Sequence, residues 1–206
     1  MTNELRYKKY IAQGGDFGGT ISTWLGYDFP NSLLGIHINI LIIRHPDGPQ
    51  TKEEKDWQEI FRFLSEIVKK GETYAINHDA EEQELKHLWL KKPDACFVAM
   101  LDGRLAGSYY LKKNQQGGGS HVCNAGYIVD PEFRGRGLAR KMCAHSIETA
   151  LEMGFEAMQY NFVVSTNVGA IHLWKSMGFQ IVGTLPGAFK HPEQGPVEAL
   201  IMYRFL

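Results

Sequence analysis

The sequence predicts a mixed α/β fold, with strands and helices packed around one central sheet. Three observations predict it. Residues 95–129 hold three strand-length apolar runs separated by turn signals, as an antiparallel run of strands would. Residues 124–153 read strand, glycine-rich basic turn, helix. Residues 157–205 read strand, short helix and two further strands. With 206 residues the chain has the size of one ordinary domain with room for an appendage, and it can bury a real core.

The elements follow in order. Tyr10 to Gln13 reads as a strand, Gly14 to Gly18 as a tight turn around Asp16, and Gly19 to Tyr27 as a helix. Ser32 to Ile43 is a second apolar run. From Gly35 it is almost wholly apolar, as a buried strand would be, and it is a candidate first strand of the main sheet. His45 to Gln50 is a loop. Thr51 caps a helix with an acidic first turn, Glu53 and Glu54. Its stripe of Trp57, Ile60, Phe61, Leu64, Ile67 and Val68 ends at Gly71 and reads as core, with Trp57 and Phe61 as candidates to line a pocket.

Glu72 to His78 is a loop. Asp79-x-x-Glu82 resembles a capping box and starts a helix through Leu85, Leu88 and Trp89 that stops before Pro93. Ala95 to Leu101 and Arg104 to Lys113 form a hairpin about Asp102-Gly103. Asn114 to Ser120 is a glycine-rich loop, and His121 to Val129 the third strand. A long helix runs from Leu138 to Met153 and closes at Gly154. Ala157 to Val164 is a strand, and Asn167 to Met177 a short helix capped by Ser165, Thr166 or Asn167. Gln180 to Thr184 is a strand, Pro186 to Pro196 a loop, and Val197 to Phe205 a last strand with alternating faces.

Formal charge is −1, which advertises neither a nucleic-acid nor a membrane surface. No apolar run approaches the ~18 residues of a membrane helix, and residues 1–13 lack the apolar core of a signal peptide. Cys96, Cys123 and Cys143 are odd in number and lack metal-ligand spacing. They predict no metal and a reducing, cytoplasmic compartment.

The chemistry concentrates at Arg134-Gly135-Arg136-Gly137-Leu138-Ala139, between a strand and a helix. The first amides of a helix lack internal partners, and its dipole favours an anion there. Gly135 and Gly137 let backbone approach a phosphate closely, and the two arginines can add charge-assisted bonds. Arg134-x-x-Gly137-x-Ala139 resembles the acyl-CoA pyrophosphate signature of the GNAT superfamily of N-acetyltransferases. Downstream, Asn167-x-x-Ala170-x-x-Leu173-Trp174-x-x-x-Gly178-Phe179 resembles that superfamily's second signature. The resemblance covers roughly residues 40 to 206. It implies a central, mostly antiparallel sheet with splayed strands, flanked by helices, in a domain spanning 46–206. Residues 1–45 are then an N-terminal extension or an α/β-hydrolase-like fragment left by gene fusion. Within them, residues 10–43 resemble the nucleophile-elbow region of epoxide hydrolase-like α/β-hydrolases, with Asp16 in the place of the nucleophile. The rest of that fold is absent, so Asp16 reads as a turn residue.

The resemblance implies acetyl-CoA as cosubstrate. Its pantetheine arm would lie between Tyr127–Val129 and Gln159–Val163, with amides near Ile128 and Val129 as oxyanion donors. Arg134 to Ala139 would hold the diphosphate. Asn167, Ala170 and Trp174 would border the arm, Asn167 doubling as a helix cap. Trp174 departs from the family, which usually carries a tyrosine whose hydroxyl protonates the leaving thiolate. Indole cannot do so. Tyr127, His172, Ser165, water, or departure of the free thiolate remain open. Several members of the family carry a glutamate on the strand before the cradle, whereas here His121 to Val129 holds no carboxylate. Asn124 and Asn161 are polar side chains in apolar strands, and they resemble asparagines of yeast-type acetyltransferases acting on proline analogues. They are candidates to bind and orient the amine, with backbone bonding as the plainer account.

The expectation is an N-acetyltransferase acting on a small amine or amino acid by direct attack, since no cysteine is placed as a nucleophile. A protein amino-terminus or lysine is an alternative acceptor, and a non-catalytic CoA-binding sensor an alternative function. Dimerisation, common in such folds, is left open by the sequence.

Overall fold

A computed structural model describes residues 10–14, 33–38 and 52–206, with side chains from Gln58 onward. The chain divides into two compact units, Met1–Lys55 and Asp56–Leu206. In the first, β1 (Tyr10–Gly14) pairs in parallel with β2 (Leu33–Ile38) as a two-stranded sheet. β2 is therefore a strand, but it is not the first strand of the main sheet. The turn about Asp16, the helix expected to Tyr27, the Thr51 cap and the side chain of Trp57 lie outside the described residues.

The second unit carries a six-stranded sheet of β3 (Ala95–Leu101), β4 (Arg104–Lys113), β5 (Val122–Val129), β6 (Ala157–Val164), β7 (Gln180–His191) and β8 (Gly195–Phe205). Their spatial order is β3-β4-β5-β6-β8-β7. All neighbours are antiparallel except β5 and β6. The β3–β4 turn works because Asp102 and Gly103 both take positive φ, 53° and 74°, as a type I′ turn requires.

Alternation along the strands separates two cores. On one face α1 (Lys52–Lys70) buries Ile60, Phe63, Leu64, Ile67 and Val68 with Leu85, Trp89, Cys96 and Ile128. Each such side chain contributes about 1.5–3 kcal/mol when fully buried. Phe61, at 4% exposure, belongs to this core. On the other face α3 (Leu138–Glu152) packs Met142, Cys143, Ile147 and Ala150 against Tyr109, Cys123 and Met158.

Two segments differ from expectation. The capping box does not form: the Ala80 amide closes a turn on the Asn77 carbonyl, so the helix starts only at Glu82 and no side chain caps it. α2 (Glu82–Lys86) passes into a π turn, His87–Lys91, pinned by Trp89 Nε1 donating to Ser108 Oγ at 3.0 Å. The expected loop at 186–196 is mostly strand. β7 skips register between Leu185 and Phe189, where Pro186 lacks a donor and Gly187 takes φ 59°, and then rejoins the ladder through His191.

Candidate active site

The site begins where the sheet fails to close. β5 and β6 pair only at Val122–Ala157 and Cys123–Met158, then part. The Asp130 amide donates to the Ala106 carbonyl, and the same register makes Ile128–Ser108 a hydrogen-bonded pair on β4. By alternation, the backbone of Tyr127 and Val129 points into the gap. Of the two amides expected to serve the oxyanion, Val129 faces the gap, joined by Tyr127, while Ile128 is turned to β4. The Tyr127 carbonyl already accepts the Tyr74 hydroxyl at 2.7 Å. Earlier on the same strand, Asn124 Nδ2 donates across to the Gln159 carbonyl of β6 at 2.9 Å. The plainer account of Asn124 therefore holds for its amide nitrogen. Its Oδ1 accepts no bond among the described residues and remains available.

A cleft of about 950 Å³ runs through this gap. At one end stands the basic turn. Asp130, buried at 3%, braces it by accepting the Glu132 amide at 2.9 Å and Arg62 at 3.3 Å. Gly135 and Gly137 hold left-handed φ of 76° and 74°, and a Cβ on either would project into open space. α3 carries no side-chain cap, and its first bond runs from the Lys141 amide to the Gly137 carbonyl. The amides of Leu138, Ala139 and Arg140 thus stay free for an anion. Arg134, Gly135 and Ala139 line the cleft; Leu138 is buried, and Arg136 lies over the Phe133 ring at 5.3 Å. The turn fits a diphosphate: open glycines, unpaired amides and one cation directed to the cleft.

Beside it stands α4 (Val168–Ser176), tied to α3 by Arg140 donating to Ser176 Oγ at 2.6 Å. Asn167 caps α4 through Oδ1, 3.3 Å from the Ala170 amide, and both residues line the cleft. Trp174 also lines it, with Tyr127 and Tyr160 each at 4.9 Å between ring centroids. The Tyr127 hydroxyl bonds Ser146 at 2.6 Å and lies 3.1 Å from that of Tyr160. Burial pushes both phenols well above their ordinary pKa, so they remain protonated. His172 and Ser165 do not line the cleft.

At the opposite end the sequence marked Asn124 and Asn161 but not the residues around them. The wall there is one face of the sheet, where Lys112 lies opposite Asn124 and Tyr110 opposite Gly126. The Tyr110 ring lies across Gly126, where an added Cβ would sit 2.5 Å from it. Asn161 lines the same cleft and is held by Gln159 at 2.8 Å and Asn114 at 2.6 Å. Tyr74, Trp89, Lys92 and the β7–β8 hairpin close this end. In that hairpin His191 Nδ1 accepts the Glu193 and Gln194 amides, which fixes the Nε2–H tautomer. Phe189 is buried against Phe162, and Lys190 is exposed.

The profile of the acetyltransferase (GNAT) family matches residues 56–179. The chain is similar to N-acetyltransferase aca1 of Schizosaccharomyces pombe, 28% identical over 162 residues, 69% of this chain and 77% of that one. It is also similar to the L-amino acid N-acetyltransferase AaaT of Escherichia coli, 25% identical over 70% of this chain and 85% of that one. A solved GCN5-related N-acetyltransferase from Kribbella flavida superposes with a TM-score of 0.71 at 40% identity, covering 76% of this chain and 96% of that one. These findings lend no support to the hydrolase-like reading of residues 10–43. Among the described residues no cluster suits a metal ion, and no helix is long and apolar enough to cross a membrane.

Proposed function

The chain belongs to the GNAT acetyltransferase family, and we propose that it transfers an acetyl group from acetyl-CoA to the amine of a small molecule or amino acid by direct attack. The observation that carries this is the β5–β6 gap opening onto a basic, uncapped helix start at one end and an amide-bearing pocket at the other. Acetyl-CoA supplies the activated acetyl group and leaves as the thiol. Arg134 and the amides of residues 138–140 hold its diphosphate, and the gap-facing amides of Tyr127 and Val129 stabilise the oxyanion. Asn124 Oδ1 and Asn161 orient the amine. No carboxylate stands beside them on the strand, so the acceptor enters with its amine already free. Trp174 donates no proton to sulfur; a thiol of pKa about 8.5 leaves as thiolate more readily than an amine would, and through water it takes up the proton that the acetylated nitrogen sheds, which gives the free thiol. The three cysteines are free and buried, which suits a reducing cytoplasm.

A thiol-release screen with acetyl-CoA against amino acids, cyclic imino acids and aminated antibiotics tests the reading. Steady release with one acceptor class is expected. Tight CoA binding without turnover across the panel would instead identify a CoA sensor.

A further inference from the structure

Deepening that reading and resting on it, we infer that the acceptor carries a carboxylate beside its amine, and that Lys112, with Lys92 next to it, holds that anion. Lys112 stands on β4 directly opposite Asn124 on β5, so both side chains leave the same face of the sheet. Its ammonium lies over the Tyr110 ring, 5.4 Å from the centroid, on the acceptor wall. Lys92 ends the π turn that Trp89 anchors to Ser108, and it lines the same cleft.

Neither lysine of this pair has an ion-pair partner among the described residues, whereas Arg62, Lys86 and Arg104 each meet a carboxylate. Glu72 and Glu193 also line the cleft, yet both are exposed and neither forms an ion pair there. Lys112 is partly desolvated and faces a like charge; burial first, then Lys92, lowers its affinity for its proton. A half-buried ammonium kept beside a second one is stabilised when an anion enters. The diphosphate of acetyl-CoA is not that anion. Asn124 to Val129 alone spans about 17 Å of strand at ~3.4 Å per residue, and the basic turn lies beyond. An α-amino acid places its amine two bonds from its carboxylate carbon, so an acid anchored at Lys112 presents its nitrogen to Asn124. A peptide amino-terminus lacks that carboxylate.

Two readouts test this. Thiol release is measured on matched L-amino acids, their carboxamides, their decarboxylated amines and a tripeptide. The wild-type protein should prefer acids by about tenfold or more in kcat/KM; Lys112→Met should abolish the preference through acceptor KM, and Lys112→Arg should restore most of it. Separately, calorimetry on the CoA-saturated protein should show amino acids binding wild type and Lys112→Arg but not Lys112→Met. Amides or the tripeptide used as well as acids, or an acid preference that survives Lys112→Met, would overturn the inference while leaving acetyl transfer intact. If no acceptor turns over, acetyl transfer fails, and the calorimetry still decides: acid binding that depends on Lys112 supports the anion site, and its absence rejects it.

Discussion

The donor end of the cleft comes mainly from two unbroken stretches of chain, 127–140 and 167–174, whereas the acceptor end gathers six segments: 70–76, 88–92, 110–112, 124–126, 160–164 and 191–194. The donor end offers mainly backbone: open glycines, unpaired helix amides and strand groups left by the splay. The acceptor end offers side chains that meet only after folding. The first is therefore fixed by conformation, the second by identity, and substitutions should separate them.

The largest effect is expected at the donor end. Gly137→Val forces a branched residue into φ 74°, at a cost of about 1–3 kcal/mol, and places methyl groups where the diphosphate must approach. Acetyl-CoA affinity should fall about a hundredfold by calorimetry, equivalent to ~2.7 kcal/mol. Arg134→Glu should weaken the same binding more than Arg136→Glu, because only Arg134 lines the cleft; equal losses would break the assignment of the two arginines.

Next comes the acceptor lip. Asn124→Ala leaves the Gln159 carbonyl without its donor, costing about 1–3 kcal/mol of stability in urea titration. It should lower kcat about ten- to a hundredfold with little change in KM for acetyl-CoA. A rise in that KM instead would mean that the two ends are not separable. Tyr74→Phe frees the Tyr127 carbonyl at the boundary between them and should cost about 0.5–1.5 kcal/mol, with a smaller loss of kcat/KM.

The smallest effect on catalysis is expected outside the cleft, in the cores. Burial pushes the Cys96 and Cys123 thiols from an ordinary value near 9 up to about 12. Their folded pKa is raised, so the stability they contribute is complete below pH 9. It is lost as pH climbs toward 12, because the unfolded chain releases protons that the folded one retains. Urea midpoints should therefore hold to about pH 8.5 and decline by pH 10.5, less steeply in Cys96→Ala.

The same contrast explains what the sequence made legible. β3, β4 and β6 have the bounds that their alternation and turn chemistry foretold, since Asp102-Gly103 and Gly154 act locally. The strand, basic turn and helix around Arg134 to Ala139 were legible because they are consecutive backbone. Lys112 was not, because its meaning depends on standing opposite Asn124, a register set across the Asn114–His121 loop. Tyr74 was missed for the same reason: it lies in a segment without periodicity, and its partner is a carbonyl freed by the splay. The β7 extension past Pro186 was hidden by a proline and a glycine that mark a bulge here rather than a loop.

Backbone amide shifts recorded during titration with acetyl-CoA test the donor site most directly. Residues 135 and 137–140, with Tyr127 and Val129, should move together and saturate at one affinity, and Arg134→Glu should weaken that affinity. Shifts confined to other parts of the chain, or an affinity indifferent to Arg134→Glu, would contradict the placement of the diphosphate on this turn.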